Sequence, residues 1–216
     1  MQDLIKQEQF ELEVLDKLNS RRLLSGLVFI GGTMLRLCYG LNRYSVDLDF
    51  WSVKQGADKL FVPLKRCLGQ SYELIDAASK HYTILFQLRS TAYPRSLKIE
   101  IRKEKKAYVP VPAIAFSPHA DTQVKLNVLS LQDMMSAKIE ALFSRKQIRD
   151  AFDIEFLLRK GAQIDISKKD AQKALKIIQG FKKNDYRVVL GGLLNVQDRQ
   201  FYSKTGFTLL EASLRT

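Results

Sequence analysis

Hydrophobic positions in this chain follow two different periods. Up to residue 129 they come as short apolar runs and as alternating stretches such as HYTILFQLR and SLKIEIRK; from residue 131 they recur every three or four positions. The first pattern predicts strands and the second helices. The chain therefore divides into a sheet-bearing front, residues 1–129, and a mainly helical back, residues 130–216.

The front opens with a predicted helix over 3–24, on the spacing of Leu4, Phe10, Leu12, Leu15 and Leu18. LVFI (27–30) reads as a short strand, Gly31-Gly32-Thr33 as a turn, 33–39 as a helix stopped by Gly40, and SVDLDFWSV (45–53) as the next strand. A helix over 57–69 and strands in YELIDAA, HYTILFQLR and SLKIEIRK follow. The stretch 107–123 carries Pro110, Pro112 and Pro118 and is expected to cross without regular structure. VKLNVL (124–129) reads as an edge strand. In the back, helices are predicted over 131–144, 149–160, 167–179 and about 184–194. Ser167 is placed as an N-cap, and Gly161 and Gly180 as stops. GFTLLEASL is left between strand and short helix.

Alternation gives the acids a meaning. On a strand Asp47 and Asp49 share one face while Leu48 and Phe50 share the other. Two carboxylates that close resist full ionisation unless a cation compensates them. A hard divalent ion with oxygen ligands does so. Lys98, Glu100 and Arg102 point away from Leu97, Ile99 and Ile101, so Glu100 becomes a third acid if its strand lies beside 45–53. Three carboxylates on adjacent strands suit a pair of metal ions about 4 Å apart. The competing reading is a salt-bridged surface, with Glu100 held by Lys98 or Arg102.

Gly31, Gly32 and Thr33 sit where a strand gives way to a helix. Unsatisfied backbone N–H groups there attract anions, and glycine admits a phosphate closely. Thr33 can cap the helix or meet a phosphate oxygen, and Arg36 stands one turn on. The alternative is a plain tight turn. The segment is neither a P-loop nor a dinucleotide fingerprint, since neither spacing is present. In the helical half, Lys138 and Arg145 share a face and are candidates to reach a triphosphate. Asp150 and Asp153 share another, with Arg149 able to pair with Asp153. Read without further help, these charges are a solvated helix surface.

Charge narrows the partners. Lys and Arg number 35 against 23 Asp and Glu, a net charge of +12, which favours polyanions. RKEKK (102–106) and FKKNDYR (181–187) are candidate backbone contacts for RNA, and Tyr39 and Tyr44 for a base. Cys38 and Cys67 suit a reducing compartment. The opening MQDLIKQEQF lacks an apolar signal core, and no apolar run approaches membrane length. A cytoplasmic protein, without a membrane partner and monomeric, is expected. His81 and His119 lack partners at zinc spacing.

FIGGTMLRLCYGLNRYSVDLDF closely resembles the first motifs of the AbiEii/AbiGii-type toxins, nucleotidyltransferases of the DNA polymerase beta-like superfamily. The matching residues are Gly31, Gly32, Thr33, Leu35, Arg36, Arg43, Ser45, Asp47, Leu48, Asp49 and Phe50. A later block, MMSAKIEALFSRKQIRDAFDIEFLLRKG, is similar through Lys138, Arg145, Arg149, Asp150 and Asp153. The resemblance spans about 27–161. It implies an α/β (α+β) fold: a polymerase-beta-like core with a mixed sheet, then a C-terminal helical region. It implies that Gly32 and Thr33 hold nucleotide phosphates, that Asp47 and Asp49 bind magnesium, or manganese in its place, and that Lys138 and Asp150 are functional.

The implied activity is transfer of an NMP from an NTP to an acceptor. Relatives act as toxins in abortive-infection or toxin–antitoxin pairs, usually with a separate antitoxin partner, and some modify tRNA 3′ ends. RNA is the expected acceptor. A protein side chain, a small molecule, or a noncatalytic nucleic-acid- or antitoxin-binding role are the rivals.

Overall fold

A computed structural model describes residues 2–53, 56–104 and 108–215. Lys105 and Lys106 of the basic RKEKK stretch lie outside the described residues. The described chain forms two compact units. Residues 1–40 and 44–129 make the first; residues 41–43 and 130–216 make the second.

In the first unit, helix α1 (Gln2–Ser20) is followed by a 3-10 turn, Leu23–Gly26, so the long predicted helix stops four residues early. Strand β1 (Leu27–Ile30) runs straight into α2 (Gly31–Tyr39). Gly31 is already helical in hydrogen bonding, and Gly40 ends α2 in the left-handed region with φ 77°, a conformation that glycine adopts without steric cost. Then come β2 (Asp47–Ser52), a 3-10 turn at Ala57–Leu60 leading into α3 (Phe61–Gly69), and strands β3 (Glu73–Ser79), β4 (Thr83–Arg89), β5 (Leu97–Arg102), β6 (Val111–Ala115) and β7 (Val124–Val128).

The described strands form one mixed seven-stranded sheet in the order β3-β4-β5-β2-β1-β7-β6. β2 is antiparallel to β1 and parallel to β5. Two expectations at the far edge need correction. Val111–Ala115 is a strand despite Pro112, and it takes the edge, while β7 sits inside, between β1 and β6. An edge strand tolerates a residue without an N–H, because one of its sides has no ladder to fill. The core gathers Phe10, Leu12, Leu15 and Leu18 from α1 with Phe29, Phe50, Phe86 and Ile99 from the strands, all at most 1% exposed.

The second unit contains α4 (Leu131–Arg145), α5 (Ile148–Arg159), α6 (Lys168–Gln179), a π-helical segment at Asp185–Leu190 with a 3-10 turn at Gly191–Leu193, then α7 (Val196–Thr205) and α8 (Thr208–Ser213). Ser130, Ser167 and Asn195 cap α4, α6 and α7 by accepting from the N–H groups of Asp133, Asp170 and Asp198, which satisfies donors that a helix start leaves open. Within GFTLLEASL, left open between strand and helix, Thr208–Ser213 is helical. Phe207, set just before α8, packs with Tyr202, ring centres 5.4 Å apart.

Candidate active site

β2 presents Leu48 and Phe50 to the core and Asp47 and Asp49 to the opposite, partly open face. β5 repeats the pattern beside it: Leu97, Ile99 and Ile101 are buried, while Lys98, Glu100 and Arg102 face outward. The parallel register sets Asp47 opposite Lys98 and Asp49 opposite Glu100. The three acids read from alternation therefore share one face of two adjacent strands.

Their charges are only partly met. Lys98 Nζ lies 3.7 Å from Asp47 Oδ2 and 3.5 Å from Glu100 Oε2. Arg102 Nε lies 3.6 Å from Glu100 Oε1. The salt-bridged arrangement anticipated as an alternative for Glu100 is thus present. Burial pushes the Asp49 carboxyl up, Asp47 and Glu100 push it further, and Lys98 and Arg102 counter only in part. Partial burial works against the Lys98 ammonium, yet Asp47, Glu100 and Asp49 outweigh it and hold that group above its ordinary value.

The glycine bend closes on the same acids. Gly31 has φ 85°, and a Cβ built there would stand 2.8 Å from Asp49 Oδ2. Only glycine leaves room for this carboxylate to lie against the start of α2. Gly32 is buried in the first turn of α2. The Thr33 hydroxyl donates to the Asp47 carbonyl at 2.6 Å, so it ties α2 to β2 instead of capping the helix. Arg36 ion-pairs with Glu8 of α1 and lies over the Tyr44 ring, 3.8 Å from its centre. Tyr44 thereby turns a ring face to a guanidinium. The Glu8 partnership escaped sequence reasoning; its only trace is that Gln7, Glu8 and Glu11 interrupt the apolar side of α1, where all three are buried.

The helical candidates meet one another. Asp153, fully buried, receives Arg43 Nε and Nη2 at 2.6 Å each and Lys138 Nζ at 2.6 Å. Asp150, also fully buried, receives Arg145 through Nε at 2.7 Å and Nη2 at 2.6 Å, with Lys138 Nζ 3.5 Å away. Burial opposes the charge on Asp153, but Arg43 and then Lys138 outweigh it and hold the carboxyl below its ordinary value. The solvated surface expected for these acids is corrected to a buried network. Arg149 donates to Gln147 Oε1 at 2.8 Å, and the place it was expected to take on Asp153 belongs to Arg43 and Lys138. Arg43 reaches it from the short segment between α2 and β2, 110 residues away in sequence.

Among the described residues no three His, Cys, Asp or Glu side chains converge as ligands of one metal ion. The Asp47–Asp49 pair nonetheless fits a hard divalent cation. Its donors are carboxylate oxygens, and the crowding that raises Asp49 is what such a charge relieves. No helix among the described residues is long and apolar enough to cross a membrane.

A mixed seven-stranded sheet followed by a helical region, with paired acids on a central strand beside a glycine bend, is a polymerase-beta-like nucleotidyltransferase architecture. Residues 13–201 match the family described as nucleotidyl transferase AbiEii toxin, type IV TA system, and the chain belongs to that family. A crystal structure of a putative nucleotidyltransferase from Helicobacter pylori shares the fold, with a TM-score of 0.54 and 18% identity over 96% of both chains. A crystal structure of JHP933 from Helicobacter pylori is 19% identical over 93% of this chain and 94% of that one, with a TM-score of 0.48. No curated protein matches the chain.

Proposed function

We propose that this protein is a magnesium-dependent transferase that moves an NMP from an NTP to RNA, with the 3′ end of tRNA as acceptor, and that it acts in the cytoplasm as the toxin of a pair with a separate antitoxin. The observation that carries the reading is the placement of Asp47 and Asp49 on one sheet face, with Glu100 in register across from Asp49 and Gly31 against the Asp49 carboxylate.

In this reading Asp47 and Asp49 hold the cation, and Glu100 is the third acid of the set. A divalent ion bound there supplies charge neutralisation to the phosphates and to the oxygens exchanged at phosphorus. The Gly31-Gly32 bend admits the triphosphate chain to the start of α2, where backbone N–H groups point outward. Thr33 fixes that bend through the Asp47 carbonyl, so its contribution to phosphate binding is positional, as is that of Arg36 through Glu8. The acceptor hydroxyl oxygen forms a bond to the α-phosphorus as the bond from that phosphorus to the β-phosphate oxygen breaks. Pyrophosphate departs with the electron pair, and the hydroxyl proton passes to the Glu100 carboxylate. Lys138, Asp150 and Arg145 enter the proposal through the family motif. Their geometry supports a positioning role, since Lys138 and Arg145 are both engaged with buried carboxylates.

Incubation with labelled NTPs, magnesium and total tRNA tests the reading. Labelled RNA is expected, and it should vanish with Asp49→Ala. Labelled protein or a labelled small molecule in its place would move the acceptor to another class. No label on anything would leave a binding module.

A further inference from the structure

We infer that the β4–β5 turn carries a phosphate-binding subsite for the acceptor RNA strand, separate from the glycine bend; this rests on the transferase reading above. An open cavity of about 660 Å³ lies there, bordered at one end by Asp47. Arg89, Thr91, Arg95, Ser96 and Lys98 give it its chemistry. They project from the end of β4, from the turn and from the start of β5.

Three observations point to phosphodiester oxygens as the ligand. The first is the state of the guanidiniums. Arg36, Arg43 and Arg145 each grip a carboxylate. Arg89 and Arg95 are exposed on the cavity and meet no carboxylate among the described residues. A guanidinium facing a hydroxyl-lined hollow is suited to a phosphate's paired oxygens. The second is the state of the aromatic lining. Tyr93 stacks on Phe10, ring centres 4.5 Å apart and 11° from parallel, and its hydroxyl donates to Glu13 at 2.6 Å. One ring face and the hydroxyl are thus already engaged, so the lining's uncommitted polar chemistry is that of its arginines and hydroxyls, which reads charge and not sequence.

The third is topology. β1 lies on one side of β2, while β5 and then β4 lie on the other. The glycine bend follows β1 and rests against Asp49. The cavity opens from Asp47 towards β5 and β4. The acid pair is flanked by two anion-attracting features from opposite sides, as a transfer between two phosphate-bearing substrates requires. The bend, made of backbone, suits the compact triphosphate; the open cationic hollow suits a strand that must enter and leave.

The test compares the whole protein with the Arg89→Ala/Arg95→Ala variant. Binding of a short fluorescent single-stranded RNA is measured across salt concentrations, and binding of magnesium-ATP is measured separately by its protection against thermal unfolding. The variant should bind the RNA about tenfold more weakly. Its plot of log affinity against log salt should be shallower by about 1.4, the value for two lost phosphate contacts on a single strand. Magnesium-ATP binding should stay within about twofold, and Arg89→Lys/Arg95→Lys should recover most of the RNA affinity. Unchanged RNA affinity and slope overturn the subsite. So does a loss of magnesium-ATP binding, alone or in step with RNA, which would assign the cavity to the triphosphate. Equal labelling of RNA by wild type and the alanine variant sinks the subsite alone. A wild type that labels no RNA sinks RNA as the acceptor and the subsite's role with it, and one that labels nothing sinks the transferase reading as well.

Discussion

Asp47 and Asp49 on the sheet, and Asp150 and Asp153 in the helical unit, are both close-spaced pairs of acids, yet they meet opposite surroundings. On the sheet, Lys98 and Arg102 reach Asp47 and Glu100 at 3.5–3.7 Å, and act on Asp49 only through their more distant charge. In the helical unit two acids share three cations, and each acid has contacts of 2.6–2.7 Å. The sheet pair stays partly open, whereas the helical pair is fully buried. Asp49 is accordingly pushed up and Asp153 held down. An acid whose charge is met by its own chain is part of the framework. One whose charge is met only in part still has affinity to give to a cation from outside.

The sharpest way to break that contrast is to remove one acid from each pair. Asp153→Ala leaves Arg43 and Lys138 in the interior without their main partner, which typically costs about 3–5 kcal/mol. Denaturant unfolding should show that loss. Asp49→Ala should abolish the labelling proposed above, by a factor of at least about 10²–10³, while the unfolding midpoint barely moves, because the acid it removes is crowded by like charges. A destabilised Asp49→Ala beside an unaffected Asp153→Ala would invert the comparison and defeat it.

Much of the sheet side was legible in the sequence because a strand writes its faces every second residue. The alternation in DLDFWS put Asp47 and Asp49 on one side and that in LKIEIR put Glu100 on the polar side of its strand, while the pairing that joins them is a contact far apart in sequence; Ser167, Gly40 and Gly180 marked helix ends through local hydrogen bonding. What stayed hidden depends on contacts far apart in sequence. No local pattern reveals that Arg43 belongs to Asp153, or Arg36 to Glu8. Nor could an isolated reading of VPAIA know that it would lie at an edge, where Pro112 does no harm. The final helices were obscure because QDRQFYSKT has little apolar periodicity; the Asn195 cap supplies the local signal that was overlooked.

Gly31→Ala tests the contact between bend and acid at intermediate cost. The residue would have to hold φ 85° with its Cβ 2.8 Å from Asp49 Oδ2. A left-handed alanine costs roughly 1–3 kcal/mol when the surroundings impose it, and the crowding is relieved only by moving the carboxylate. Transfer activity should fall well beyond what the lost stability explains, and magnesium-ATP affinity should fall with it. Gly40→Ala is the control. It has a comparable φ of 77° and nothing within 4 Å of an added Cβ, so it should lose stability to a similar degree and keep its affinity. Equal affinity in the two variants would mean that the Asp49 contact is incidental.

A pH-graded effect, small near the carboxylate range, belongs to Glu11, which separates burial from charge compensation. It is as buried as Asp153, but both of its carboxylate oxygens lack a hydrogen-bond partner among the described residues. Burial raises its pKa well above the ordinary value; Glu8 and Asp47 add to the rise, and Arg36 opposes it. The unfolded chain therefore releases this proton at a lower pH than the folded chain does. Below the ordinary carboxylate range Glu11 is protonated in both states and carries no penalty. As pH climbs from there the folded state holds the extra proton, and its stability declines by up to about 1.4 kcal/mol per pH unit until the buried group ionises. Asp153 runs the other way, since its folded carboxyl sits low and its contribution is lost as pH falls. Glu11→Gln keeps the shape and removes the proton. It should match wild type in acid and grow steadily more stable than wild type towards neutral and alkaline pH, as read from thermal midpoints across a pH series. Parallel curves for the two proteins would show that Glu11 is compensated after all, and that burial without a cation is not what distinguishes it from Asp153.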